Sequence, residues 1–307
     1  MLLGLALVCV AAVSWGTTGS VMTLLARGGT PSPLLVGWAR MASAAPCLLL
    51  ATFLLRPGIA RIGVTQPAGL VGGGGEPRDW AKAALLGIAM AAYQLCYFWA
   101  VPRTGVALTA LLAICSAPIM ITAGAALTLK ERPARSTLVA LLLAVGGTAM
   151  VLVGPRVAGG VPREFVAGSI AAIGAGLSYA VYAVTAKGLL RRAAPLSLAA
   201  VTFTLAALLL TPVLAIERDA VAQLAAGWPL LVYLGVVPTA AAYVIFGAGL
   251  RRVTATAAGI ATLLEPLTAA ALGVLAFGER LGAMGWAGAT LLLAALALLS
   301  RSGSGRQ

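Results

Sequence analysis

Two ionisable residues stand inside long apolar stretches, and they are the first candidates for chemistry in this chain. Glu265 lies in LeuLeuGluProLeuThrAla (263–269) and Arg40 in ValGlyTrpAlaArgMetAla (36–42). A carboxylate in the middle of an apolar span is costly unless it is protonated, paired or hydrated. Glu265 is therefore an acceptor for a solute ammonium, a proton-coupling group, or a structural carboxyl tied to backbone that Pro266 frees. Residue type leaves these alternatives open. Arg40 sits about two turns inside its span. It either snorkels to the nearer surface or holds a carboxylate or a structural carbonyl.

The deep aromatic residues form the second group. Trp38, Trp80, Trp99, Trp228 and Trp286 fall within a few residues of apolar-segment ends, where interfacial anchors belong. Trp15 alone lies deep, with Thr18 three residues on. Tyr179 and Tyr182 repeat that spacing, so each pair marks one helix face. Met90, Tyr93 and Tyr97 form a further helical stripe beside Gln94, and Tyr233 and Tyr243 follow later in the chain. A tyrosine hydroxyl in hydrocarbon needs a partner or a wet cavity. One by one these side chains are ordinary packing aromatics. As a set they are expected to surround a cavity. Pro118 and Pro266 each remove an intrahelical hydrogen bond from mid-span and are candidate hinges, with Cys115, Ser116, Thr109 and Thr262 as polar neighbours.

Other chemistries find no support. The chain has no histidine, and Cys9, Cys47, Cys96 and Cys115 all lie in apolar segments without metal-site spacing. No Cys/His or paired-acid constellation and no phosphate-cradling loop is present, which argues against an enzyme, and no metal or cofactor is implied.

The elements that must position these residues follow from composition. With 61% apolar and 9% charged residues, and a mean hydropathy of +1.02, the chain is not an ordinary soluble domain, which carries roughly 25% charge. Ten apolar windows can cross a ~30 Å hydrocarbon layer as helices: 2–26, 33–55, 81–101, 104–128, 136–154, 164–187, 195–216, 228–250, 254–277 and 281–300. The first is too long for a signal peptide and lacks a basic start. Net charge is +13, but its distribution is that of membrane topology and not of nucleic-acid binding. Arg56, Arg61, Arg78, Lys82, Lys130, Arg132, Arg135, Lys187, Arg191, Arg192, Arg251, Arg252, Arg301 and Arg306 fall on the side of the N-terminus. Only Arg27, Arg103, Arg156, Arg163, Arg218 and Arg280 fall on the other. The positive-inside rule then places both termini in the cytoplasm.

The chain also contains itself twice. Gly87/Gly235, Arg103/Arg251, Pro118/Pro266 and Glu131/Glu279 share an offset of 148, and Ser14/Ser178, Trp15/Tyr179, Arg27/Arg191 and Pro31/Pro195 share 164. The Gly-rich insert at 56–79, expected as a flexible loop, absorbs the difference. The expected fold is an all-α integral membrane protein of ten transmembrane helices, built as two inverted five-helix repeats with both termini inside. The first repeat is 1–155, the second 156–301, and 302–307 reads as a disordered tail. An odd number of spans per repeat forces the copies to enter the membrane in opposite directions. A duplicated unit of this kind points to a solute carrier whose site lies where the copies meet. Gly168, Ala172, Gly176 and Ala180 mark a packing seam. The GluArg pairs at 131–132 and 279–280 read as interfacial pairs or caps.

SerTrpGly at 14–16, Arg40, LeuLeuGluProLeuThrAla at 263–269 and AlaPheGlyGluArg at 276–280 resemble the drug/metabolite transporter superfamily in its ten-helix EamA-type form. AlaIleCysSerAlaProIle (113–119) and ThrLeuLysGluArg (128–132) are the weaker first-unit copy, with Ala117 where the second unit has Glu265. The resemblance spans about 2–300. It implies a bacterial inner-membrane exporter working by alternating access, with a central cavity among the first, third, fourth, sixth, eighth and ninth spans. Within that family the chain looks most like exporters of amino acids and related metabolites, the aromatic amino-acid exporters among them. The expected solute contacts are Trp15, Thr18, Tyr93, Gln94, Tyr97, Ser116, Tyr179, Tyr182 and Glu265. Efflux of lipophilic cations is the alternative within transport, and a passive channel or membrane scaffold the alternative outside it. The expected partners are the small solute and the lipid bilayer, with no nucleic acid and no obligate protein.

Overall fold

Runs of Leu, Ala, Val and Gly without water to satisfy their backbone can cross lipid only as helices or closed barrels, and here they become helices. The computed structural model describes residues 1–27, 32–61, 77–152, 163–278 and 282–302, and all regular structure in them is helical. The helices are α1 (Leu2–Arg27), α2 (Pro33–Arg61), α3 (Pro77–Thr104), α4 (Val106–Thr128), α5 (Arg135–Leu152), α6 (Arg163–Leu189), α7 (Pro195–Leu210) and α8 (Val213–Ile216). They continue with α9 (Ala220–Gly235), a π-helical stretch (Val236–Ala241), α10 (Ala242–Leu250), α11 (Ala255–Ala261), α12 (Leu264–Phe277) and α13 (Ala283–Ser302). Nine spans among the described residues are long and apolar enough to cross a membrane, with Arg135–Met150 a shorter apolar helix. At 18 residues α5 still rises about 27 Å, close to the hydrocarbon thickness, so the ten expected spans are all accounted for.

The ends of these helices follow local rules. Gly105, at φ 81°, joins α3 to α4 in a backbone conformation that favours glycine, and Gly278, at φ 68°, ends α12. Pro195 opens α7. The insert is shorter than the sequence suggested, because α2 runs to Arg61 and α3 begins at Pro77. Gly72–Gly75 and the Glu279–Arg280 pair lie outside the described residues, as does the expected tail at 303–307.

The packing of the helices maps onto itself when the units are exchanged. α1 packs on α10 and α12, and its counterpart α6 packs on α3 and α4. α3 meets α7 as α2 meets α9, while α2·α7 and α5·α13 are each their own image. Matched glycines make these crossings possible. A Cβ on Gly4 would lie 2.7 Å from Cβ of Arg252, and one on Gly168 would lie 2.7 Å from Cβ of Arg103 and 2.8 Å from Cγ2 of Thr104. Gly176 carries the expected seam onto α4, where a Cβ would be 2.8 Å from the Ala113 carbonyl oxygen. At Gly16 it would be 2.8 Å from the Glu265 carbonyl oxygen, so α1 is pressed against the very turn that bears the carboxylate. Without a hydrophobic force between helices in lipid, such close backbone approach supplies the packing energy.

The matched prolines do not give matched results. Pro118 lies inside a continuous α4, but the span bearing Pro266 is broken into α11 and α12 at Thr262–Leu263. Three-residue bonds mark this break. The Thr262 hydroxyl donates to the Gly259 carbonyl at 2.8 Å, and the Glu265 amide donates to the Thr262 carbonyl at 3.0 Å. Those three-residue bonds tighten the turn, and the equivalent Ile114 has no hydroxyl to make one. A further break has no counterpart in the first unit. Pro238 interrupts the eighth span, the backbone opens into the π-helical stretch, and the Thr239 hydroxyl donates to the Leu234 carbonyl at 2.8 Å. Leu234 is four residues before the proline, so the hydroxyl supplies a donor where the proline has none.

Candidate functional site

The deep aromatics meet. Trp15 on α1 lies 4.8 Å from Tyr243 and 5.3 Å from Phe246, both on α10, and 6.2 Å edge-on from Tyr179 on α6. Tyr179 in turn lies 6.0 Å from Tyr93 on α3 and 6.0 Å from Tyr182. Tyr93 stacks on Tyr97 at 5.8 Å, and Tyr182 reaches Tyr243 at 5.6 Å. Phe203 on α7 closes the group at 4.7 Å from Tyr243. All these separations are in the range of favourable ring contacts. The cluster joins α1 and α3 of the first unit to α6, α7 and α10 of the second, and it is therefore built at their seam.

Glu265, only half-buried, lies within charge range of Tyr93, Tyr97, Tyr179 and Tyr243. Arg40 on α2 is within charge range of Tyr93, Tyr97, Tyr243 and Glu265. It is 8% exposed, so it does not snorkel. No ion pair within 4.0 Å joins Arg40 to Glu265.

Several polar atoms of this region are buried without a hydrogen-bond partner among the described residues: Trp15 Nε1, Thr18 Oγ1, Tyr179 Oη, Arg40 Nε and Gln94 Oε1. Native interiors leave few such atoms, and those of Trp15 and Tyr179 belong to the ring cluster itself, where they can receive polar groups. Gln94 spends its other amide atom on structure, donating to the Gly37 carbonyl at 3.2 Å. Tyr233 is likewise engaged, donating to the Thr17 hydroxyl at 3.1 Å.

Of the residues picked out from sequence, Trp15, Tyr93, Tyr97, Tyr179 and Tyr182 lie in one connected group, with Glu265 and Arg40 beside it. Ser116 is placed differently. Its hydroxyl donates to the Ala113 carbonyl at 3.2 Å and lies against Gly176, at the α4–α6 crossing. Pro118 and Pro266 are both buried, on spans that touch where Gly259 of α11 meets Ile121 of α4. Trp38 corrects its sequence assignment. It is not an interfacial anchor but packs against two apolar clusters with Nε1 buried, whereas Trp80, Trp99, Trp228 and Trp286 are exposed as anchors should be. Tyr243, Phe203 and Phe246 were not among the candidates, although Tyr243 had been noted for its position.

The arrangement suits binding and not bond-making. Rings offer faces, an acid and a base lie within charge range of them, and no group of three His, Cys, Asp or Glu among the described residues could hold a metal.

Comparison with known proteins agrees. The EamA-like transporter family model matches this chain twice, over 2–153 and 166–301. The chain belongs to that family. The transporter is 35% identical over 300 residues to the uncharacterized transporter YwfM of Bacillus subtilis, covering 95% of this chain and 92% of that protein. It is 31% identical over 205 residues to an uncharacterized transporter of Archaeoglobus fulgidus, covering 67% of this chain and 71% of the other. A solved crystal structure shares the fold at a TM-score of 0.78 and 20% identity, covering 98% of this chain and 97% of that one. The molecule is thus a multi-pass membrane transporter of small solutes and not an enzyme.

Proposed function

We propose that this transporter exports amino acids, aromatic or otherwise neutral, and related small metabolites across the bacterial inner membrane by alternating access. Both termini lie in the cytoplasm in this reading, following the excess of Lys and Arg on that side. The bodies that move are the units 1–155 and 156–301, and the solute is held between them. One observation carries the proposal: eight linked rings at the unit seam, with buried polar atoms lacking partners and an acid and a base within charge range of them. The rings take the side chain, and the polar atoms take the backbone groups of the solute.

Efflux of lipophilic cations has one observation in its favour, since a carboxylate among four tyrosines would suit a cation. Arg40 beside the same rings opposes it. The two readings separate in proteoliposomes. Saturable counterflow of phenylalanine, tyrosine, tryptophan or a smaller neutral amino acid is expected. Absence of any amino-acid counterflow, with ethidium carried instead, would establish the second reading.

A further inference from the structure

We infer that Arg40 is the group that reads a carboxylate on the solute, with Glu265 its opposite pole for the ammonium, so that the site selects zwitterions over amines and amides. The inference rests on the proposed amino-acid reading and assigns the residues that enforce it. An arginine in the membrane interior is ordinarily matched by an acid or by backbone carbonyls. Here, among the described residues, Arg40 makes no hydrogen bond and no ion pair within 4.0 Å, and its Nε is buried without an acceptor. Burial of an unmatched guanidinium is costly, and a solute carboxylate, which accepts two parallel N–H bonds from that fork, would remove the cost on binding.

Position supports the same assignment. Arg40 is about two turns from the start of α2, buried, and within charge range of Tyr93, Tyr97 and Tyr243. Glu265, at the α11–α12 break, is within charge range of the same rings and of Arg40. The two charges are near enough to feel each other and too far apart to neutralise each other. An α-amino acid carries its carboxylate and ammonium on one carbon and its side chain on a third bond, which matches a base, an acid and a ring cluster. A solute lacking the carboxylate leaves the guanidinium unpaired in a closed site, and sites built around a buried polar partner reject such analogues strongly.

The test is equilibrium binding to the purified full-length protein, using phenylalanine, phenylalaninamide, phenethylamine and 3-phenylpropionate. Wild type is expected to bind phenylalanine at least ~100-fold more tightly than phenethylamine or the amide. In Arg40→Gln that preference should collapse to within about 3-fold, with phenethylamine affinity retained. Arg40→Lys, which keeps a point charge but not the fork, should retain part of the preference. A folding defect in Arg40→Gln would leave the wild-type panel and Arg40→Lys to decide. Equal wild-type affinity for phenylalanine and phenethylamine overturns the inference and leaves the amino-acid reading standing. Failure of all four compounds to bind, with smaller neutral amino acids also unbound, overturns both.

Discussion

Trp15→Ala is expected to reduce amino-acid counterflow by about 100-fold or more while the protein still inserts and purifies. The indole ties α1 into the ring cluster, its centroid lying 6.2, 4.8 and 5.3 Å from those of Tyr179, Tyr243 and Phe246. Each such pair contributes about 0.5–1.5 kcal/mol beyond burial, and deleting a buried Trp costs about 3–5 kcal/mol in soluble cores. The variant should therefore melt lower as well as bind more weakly. Trp15→Phe separates the two effects. It restores a ring, and with it most of the melting temperature, but not the Nε1 donor that has no partner among the described residues. Counterflow in Trp15→Phe is expected to stay below wild type. Wild-type rates in Trp15→Ala, read by radiolabelled solute in proteoliposomes, would remove Trp15 from the site.

Glu131→Gln is the second substitution with a large expected consequence, and it acts far from the rings. The Glu131 carboxylate, just after α4, accepts from the Ala255 amide at 2.8 Å and from the Thr256 amide and hydroxyl at 3.3 and 3.2 Å. It thus caps the start of α11, a helix of the other unit, where an anion is doubly favoured by free amides and the helix dipole. The Lys187 ammonium, near the end of α6, donates to the Leu250 carbonyl at 2.7 Å, and to those of Arg251 and Val253. Gly4 packs on Arg252 and Val253, so the α10–α11 loop closes the face on which Met1 lies. In the proposed cycle, opening that face parts the end of α4 from the start of α11. Charge-assisted bonds of this kind contribute about 1.5–3 kcal/mol each at most, so weakening the clamp should shift the opening equilibrium by roughly 10-fold or more. A cysteine at Ala258, introduced after Cys9, Cys47, Cys96 and Cys115 are replaced, should then react correspondingly faster with an impermeant maleimide. An unchanged rate would show that Glu131 is only a static cap.

What the sequence revealed, and what it hid, follows from the periodicity of membrane helices. Depth was legible, because hydropathy and distance from segment ends fix how far a residue lies from the interface. Trp15, Tyr179 and Tyr93 were found that way. Direction around the helix was not. In a span apolar on every side no polar face tells inside from outside, so Trp38 read as an anchor although it packs inward. Phe203 and Phe246 escaped for a related reason: a phenylalanine among leucines carries no polar group that would make its depth costly. The repeat was legible as paired offsets, and the packing scheme of the helices respects it. The fate of the two prolines was not: matched in sequence, Pro118 stays inside a continuous helix while Pro266 follows a break at Thr262–Leu263. Glu131 was readable as a cap, but its partners lie 124 and 125 residues away, beyond any local pattern.

The central claim is that solute is held at the ring cluster and reached from each face of the membrane in turn. Its most direct test is a cysteine at Thr18, beside Trp15, in the cysteine-free protein, challenged with an impermeant thiol reagent in vesicles of each orientation. Labelling from both faces, slowed from both by the transported amino acid, is the expected result. Labelling from one face alone, indifferent to solute, would contradict it.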